Sequence, residues 1–313
     1  MNMQPLTPAD RASFIEHGYL LVPDVVPREY CERVIAAICD FVAVDPDDVA
    51  TWRRYARTGS GRPAIADVAL RGSAPHQDRD NGPVTDPGRI SGRGHGQGHG
   101  IVPLHHHQAL WDVRQLPQVH ALFSVLLDTP KLWVSLDRVS FKVPESMRDE
   151  PFRMDAVHWD GNPRGHELAL QGLIYLTDNP AGQGAFGMVP QLYRRLDAWL
   201  SDPNSDPDLR KRDVSAFPLV PLAGQQGSMV LWHRRMPHTS LANSTARPRY
   251  VQYVTMSPAG DESARQEFAP LTLEKHPPAW ALRQKVTGQR DPEPGPPLQL
   301  SALGRKLAGI DAW

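Results

Sequence analysis

A mainly β fold is what the sequence predicts: a sandwich or barrel of short strands with helices laid against it. Three observations predict it. After Pro130 come seven short segments rich in β-branched and aromatic residues: "LWVSLDRVSFKV", "AVHWD", "LALQGLIYLT", "AFGMVP", "VSAFPLVPL", "GSMVLWH" and "RYVQYVTM". Turn residues separate them, as in all-β architectures. Before Pro130 the apolar residues instead recur at helical spacing. The chain also carries 24 Gly and 31 Pro, which suits many turns better than a helical bundle.

Taken in order, the first element is a helix. Thr7 can cap it, Pro8 suits its first position and Gly18 can end it. "YLLVPDVV" reads as a short strand and a turn. "PREYCERVIAAICDFV" places Cys31, Val34, Ile35, Ile38 and Val42 on one helical face, and "DDVATWRRYAR" predicts a further short helix. From Gly59 to Gly100 the sequence is polar, rich in Gly, Pro and Asp, and without period. That composition fits a surface loop, or a lid closing over a ligand. "HHHQALWDV" leads into a helix and "PQVHALFSVLL" is another. Within the β region "YRRLDAWLSDP" reads as a helical insertion. The proline-rich tail ends in "LAGIDAW", apolar enough to dock on the body or on a neighbour. No segment repeats and no linker divides the chain. The expectation is one domain over 1–313: a helical layer to about 130, a β core over about 131–260 and an extension over 261–313.

Composition excludes several function classes. A net charge of −1 and near-neutral pI leave no basic footprint for nucleic acid. No apolar run spans a bilayer, and the N-terminus lacks the layout of a secretory signal, so a cytoplasmic protein is expected. The two cysteines, Cys31 and Cys39, share one helix and predict no disulfide framework. Arginine far outnumbers lysine, chiefly a mark of genomic base composition. Oligomeric state has no sequence signal here.

Chemistry concentrates in "AVHWDGNP". His158 and Asp160 lie two apart in a strand-like segment, so both project to one face. They form either a structural pair or two ligands for one cation. A third ligand could come from His233, inside an apolar strand run, or His238, at its end beside a loop, and geometry separates these only partly. Two histidines and one carboxylate with open positions are the ligand set of non-heme iron(II) oxygenases. A dicarboxylate co-substrate would need a guanidinium on a rigid strand, and "ARPRYVQYV" offers Arg247 and Arg249. Arg138, Ser140 and Lys142 alternate along one strand and share a face, either a solvent side or a polar pocket. His105, His106 and His107 resemble a metal tract by composition, but they lead into a helix.

The arrangement resembles the phytanoyl-CoA dioxygenase (PhyH-like) family of iron(II)/2-oxoglutarate-dependent oxygenases. His158-Trp159-Asp160, His238 and Arg249, eleven residues after His238, match that family's His-x-Asp, distal His and 2-oxoglutarate-binding Arg. "GSMVLWHRRMPHTSLANSTARPR", "FIEHGYLLVPDVVP" and "FKVPE" are similar to further family segments, so the likeness runs from about Phe14 to Ser257. Two departures stand out: "VPQLYRRL" where the family often has Pro-Gly-Ser-His, and Gly227-Ser228 where it has Gly-Asp. The Gly/His-rich segment 91–107 matches no family feature.

The resemblance implies a double-stranded β-helix, a cupin-like jelly roll. It implies Fe(II) on His158, Asp160 and His238, with 2-oxoglutarate and O2 as co-substrates and Arg249 on the distal carboxylate of 2-oxoglutarate. Ser240 and Asn243 would hold that co-substrate or brace its loop. Arg138 and Lys142 would meet 2-oxoglutarate or an anionic substrate. Ser140, Gln171, His107 and Trp159 are candidate substrate contacts, Trp159 more as packing because it points opposite to its neighbours. The partner is a small molecule, neither nucleic acid nor membrane. The expected reaction is hydroxylation, or a related oxidation, of an unactivated C–H bond, in a bacterial biosynthetic setting. Asp160 favours it over chlorination, because related halogenases lack that acid. Two other classes compete: a metal-dependent hydrolase using bound water, and a non-catalytic cupin-like binding protein.

Overall fold

Thr7 accepts a hydrogen bond from Asp10 N through its side chain, while Asp10 Oδ2 accepts one from Thr7 N. This reciprocal cap starts α1 (Pro8–His17), and Gly18 ends it in the left-handed region at φ +79°. The computed structural model describes residues 6–58, 100–148, 157–206, 208–209, 212–278, 281 and 294–313. The lid expected between residues 59 and 100 falls, apart from Gly100, outside the described residues.

Eleven short strands are described. They are β1 (Tyr19–Val22), β2 (Ile101–Val102), β3 (Leu132–Val134), β4 (Val139–Lys142), β5 (Leu170–Tyr175), β6 (Phe186–Met188), β7 (Val220–Leu222), β8 (Met229–His233), β9 (His238–Ser240), β10 (Arg249–Tyr253) and β11 (Met256–Pro258). One sheet has the order β1-β8-β5-β10-β4-β2, a second β7-β6-β9, and a third pairs β11 with β3. Every pairing is antiparallel. Two facing antiparallel sheets with crossed connections make a jelly roll, the double-stranded β-helix.

Period-two alternation sorts the side chains of the large sheet. Leu173, Tyr175, Val230, Trp232 and Val251 pack against Phe186, Met188 and Leu222 of the small sheet. Their neighbours Ile174, Leu176, Met229, Leu231 and Tyr250 turn the other way, into a second core. Helices α2 (Arg28–Val42), α4 (Gln108–Arg114) and α5 (Pro117–Leu127) cover that face, α2 with Val34, Ile38 and Val42 inward. A further helix, α3 (Val49–Thr58), sets Tyr55 edge-on to Phe141. Short helices α6 (Pro190–Tyr193) and α7 (Leu196–Leu200) form the insertion. Helices α8 (Glu262–Leu273) and α9 (Ala302–Leu307) follow the strands.

The structure departs from the sequence expectation in five places. "LWVSLDRVSFKV" is two strands, because β3 pairs with β11 while β4 pairs with β10 in the large sheet. Asp137 lies in the connection between them, its Oδ1 accepting from Arg138 N, and β4 begins at Val139, one residue after Arg138, whose carbonyl still accepts from Tyr253 N of β10. "RYVQYVTM" breaks after Tyr253 for the same change of partner. "VSAFPLVPL" pairs only over Val220–Leu222, since Val214, Phe217 and Leu219 pack in the cluster around α7. "AVHWD" reduces, among the described residues, to a single bridge at His158. Two strands, β1 and β2, precede residue 130, so the sheet reaches beyond the expected 131–260 core.

The final residues dock on their own chain: Leu307 and Ala308 are fully buried and Trp313 Nε1 donates to Leu132 O at 2.9 Å. Cys31 and Cys39 are free and buried, and burial pushes the Cys31 thiol up to about 12. Among the described residues no helix is long and apolar enough to cross a membrane.

Gly227 ties β1 to the sheet. Its carbonyl accepts from Val25 N and Val26 N, both at 3.0 Å, and its φ is +81°. A Cβ there would stand 2.2 Å from Val26 O. Gly227→Ala should therefore lower the unfolding free energy by about 2 kcal/mol or more, from left-handed strain plus a backbone clash. Urea denaturation measures this; an unchanged midpoint would mean the turn is not held as described.

Candidate metal centre

A pair of backbone hydrogen bonds sets the site. His158 N donates to His238 O and His238 N to His158 O, each at 3.0 Å. This antiparallel bridge puts the two side chains on one side, with ring centroids 4.5 Å apart. Asp160, two residues on, returns its carboxylate to the same point. His238 Nε2 lies 3.2 Å from Asp160 Oδ2, and His158 Nε2 lies 3.8 Å from Asp160 Oδ1. One ligand atom from each residue falls within 4.8 Å of the others, the one such group of three His, Cys, Asp or Glu among the described residues.

Donor chemistry tests whether this set fits a cation. His238 Nδ1 lies 2.9 Å from Met236 O, and a carbonyl only accepts, so Nδ1 carries the proton. The neutral ring then turns the Nε2 lone pair toward a carboxylate oxygen, an arrangement that needs a proton or a metal between them. Burial pulls the His238 pKa down, but the charge and hydrogen bond of Asp160 outweigh it and hold the pKa above its ordinary value. Burial likewise raises Asp160, yet His238, His158 and Gln171 together hold it well below the carboxylate range. The set is two imidazoles with Nε2 presented and one ionised carboxylate, which fits a divalent first-row metal.

Gln171, on β5, donates from Nε2 to Asp160 Oδ2 at 2.9 Å. Its placement fixes the carboxylate rather than leaving it to rotate. Gln171→Leu should weaken iron(II) affinity by roughly ten- to a hundredfold, the usual cost of removing a group that orients a ligand. Metal titration checks this, and unchanged affinity would remove Gln171 from the site.

The triad lies in a cavity of about 950 Å³ between the sheets, which Gln171, Trp232, Ser240 and Arg249 also line. Arg249 opens β10 and is 1% exposed. Nη1 donates to Gly184 O at 2.5 Å and Nη2 to Ser140 Oγ at 3.1 Å. Its buried Nε has no hydrogen-bond partner, and no carboxylate pairs with it, among the described residues. A buried guanidinium held by neutral groups is a site for an anion.

Other predicted residues divide. Ser240 lines the cavity, and Lys142 stands beside it, donating from Nζ to Ser240 Oγ and Leu241 O, both at 2.7 Å. Ser140 is buried on Arg249, and Arg138 lines the wall. Asn243 braces the loop, donating to Lys142 O and Arg247 O. Two substrate candidates sit elsewhere. Trp159 packs with Leu192 and Leu196 and donates to Arg235 O, because alternation turns it away from its flanking ligands. His107 caps α4, its Nδ1 accepting from Ala109 N. His105 and His106 contact the carbonyls of Leu136 and His276. His233 accepts from Arg235 N, and burial with the nearby Arg235 charge lowers it to about 4.

Asp137, Tyr253 and Arg234 also line the cavity, with no motif that marks them in the sequence. Arg234 Nη2 donates to Asp160 O. Alternation with Arg249 places Tyr253 on the cavity face; Arg234 follows the end of β8 and Asp137 lies between β3 and β4, where period says nothing about direction.

The sequence profile described as phytanoyl-CoA dioxygenase (PhyH) matches residues 14–251. A Dictyostelium discoideum protein named "Putative phytanoyl-CoA dioxygenase" is 22% identical over 289 residues, covering 78% of this chain and 74% of that one. The fold is similar to the GlcNAc-inducible gene 2 product of Candida albicans, at TM-score 0.60 and 12% identity, covering 99% and 77% of the two chains. It is also similar to a hypothetical protein of Escherichia coli, at TM-score 0.57 and 13% identity, covering 97% and 82%.

Proposed function

Because the chain belongs to the phytanoyl-CoA dioxygenase family, we propose that it is an iron(II)- and 2-oxoglutarate-dependent dioxygenase that hydroxylates an unactivated C–H bond of a small molecule. The observation that carries this is one cavity holding both a two-histidine, one-carboxylate ligand set and a buried guanidinium without an acidic partner among the described residues. A hydrolase needs the metal ligands but has no use for the second feature. When bound, iron(II) with 2-oxoglutarate supplies dioxygen activation, coupled to decarboxylation of 2-oxoglutarate to succinate.

The protein's own part is binding, orientation and exclusion of water. His158, Asp160 and His238 would hold the metal, with Gln171 fixing the carboxylate and Met236 O fixing the His238 tautomer. Arg249 would grip the distal carboxylate of 2-oxoglutarate, with Ser140 and Gly184 O holding the fork in place. Lys142 holds the Ser240 hydroxyl at the same wall. Phe186 and Trp232 flank the His238 ring, at centroid distances of 5.2 and 5.7 Å, and keep that side apolar. Asp160 would hold the metal where a halogenase leaves room for halide, which favours hydroxylation or a related oxidation over chlorination.

Succinate release in air tests this reading, run with iron(II) and 2-oxoglutarate against a panel of small molecules in chloride buffer. The expected result is iron-dependent succinate and a product heavier by one oxygen. Mainly chlorinated product, or hydrolysis with no succinate, would contradict it.

A further inference from the structure

Asp137 lies at the end of the cavity away from Arg249. The β4–β10 register pairs Lys142 with Arg249, and Asp137 precedes Ser140 by three residues, about 10 Å along an extended chain. It lines the same cavity as the metal triad, with its side chain 20% exposed. Its structural duties use one oxygen only: Oδ1 accepts from Arg138 N at 2.7 Å and stands 3.8 Å from Arg138 Nε, beyond hydrogen-bond reach. Oδ2 has no partner among the described residues. The nearby Arg114 is fully buried, but it donates to two backbone carbonyls, His105 O and Asp137 O, not to the carboxylate.

We propose that Asp137 is the substrate anchor, and that the molecule to be oxidised carries a protonated amine that donates to Asp137 Oδ2. A sheltered carboxylate that no side chain hydrogen-bonds calls for a donor, and preferably a cation, from the ligand. A hydroxyl would fill the acceptor with a neutral hydrogen bond; an ammonium makes that bond charge-assisted and adds to the partial compensation that Arg138 gives from 3.8 Å. In support, burial raises the Asp137 carboxyl above its ordinary value, against the pull of Arg138 and Arg114. The placement also suits orientation. Arg249 takes the co-substrate at one end, Asp137 fixes the substrate at the other, and the triad shares the space. This substrate class rests on the oxygenase reading above; the selectivity itself can be measured without it.

The test uses the full-length metal-free protein and a ladder of unbranched primary amines, each with the alcohol and carboxylate of equal length. Isothermal calorimetry at neutral pH is run on wild type and Asp137→Asn. Amines should bind wild type about tenfold or more tighter than matched alcohols, the gap a hydrogen bond to a charged group opens. Asp137→Asn, of equal shape and no charge, should bring the two within about twofold. The anaerobic iron(II)/2-oxoglutarate absorption band should be unchanged in the variant, since Asp137 touches neither group. Amines that fail to bind, alcohols that bind as tightly, or an amine preference that survives Asp137→Asn would each overturn the proposal; carboxylates should seat on Arg249 and bind equally in wild type and Asp137→Asn. Because the ladder is read on wild type as well, a poorly folding variant does not shield it. A missing absorption band in wild type would count against the oxygenase reading alone.

Discussion

Asp160→Ala abolishes iron(II)-dependent succinate release, and His158→Ala and His238→Ala do the same. The expectation follows from how few contacts hold the cation. Each ligand supplies one donor atom, and no fourth His, Cys, Asp or Glu among the described residues joins the group. Loss of Asp160 removes the one negative charge of the triad; loss of either histidine leaves a site with one imidazole. The fold should survive, because His158 and His238 are positioned by backbone hydrogen bonds that an alanine keeps. Far-UV circular dichroism and iron titration of each variant separate the two effects. Succinate release that persisted in Asp160→Ala would mean the metal is held elsewhere.

Arg249→Gln raises the KM for 2-oxoglutarate while leaving iron binding near wild type. Truncating one partner of a buried, hydrogen-bonded charge pair costs about 2–5 kcal/mol, or roughly thirty- to several-thousand-fold in affinity. The loss falls on the co-substrate alone, since Arg249 contacts Gly184 O and Ser140 Oγ and none of the three metal ligands. Arg249→Lys should not restore it. A lysine brings the charge but not the planar fork, and its ammonium cannot serve Ser140, Gly184 and a carboxylate in the same geometry. Steady-state kinetics with varied 2-oxoglutarate, beside an anaerobic iron titration, measures both quantities. Equal KM values in wild type and Arg249→Gln would remove the guanidinium from co-substrate binding.

How much of this was legible in the sequence depends on the interaction involved. Local signals carried far. Thr7, Pro8 and Gly18 bound α1 through capping contacts within a few residues. The His-x-Asp spacing announced a shared face because alternation is a property of any extended chain. The strand ends were obscure for a different reason. β3 and β4, or β10 and β11, run on in sequence, yet each pair divides where the chain changes sheet, and that depends on partners more than a hundred residues away. Arg138 falls one residue before β4 yet shares the cavity wall with Ser140 and Lys142, as alternation predicts, while Asp137 lies in the connection, where no period applies. Histidine chemistry was ambiguous in the same way. His107 and His238 are the same residue type, but one finds a helix N-terminus and the other a carboxylate, and only the fold decides which. Trp159 shows the converse: adjacency to two ligands in sequence places its side chain away from both.

Anaerobic titration with iron(II) followed by 2-oxoglutarate tests the central claim most directly. One visible metal-to-ligand charge-transfer band should grow with 2-oxoglutarate, saturate at one co-substrate per iron, and be absent in His158→Ala. No band in wild type, or the same band in His158→Ala, would contradict the claim that His158, Asp160, His238 and Arg249 together seat a metal and its keto acid.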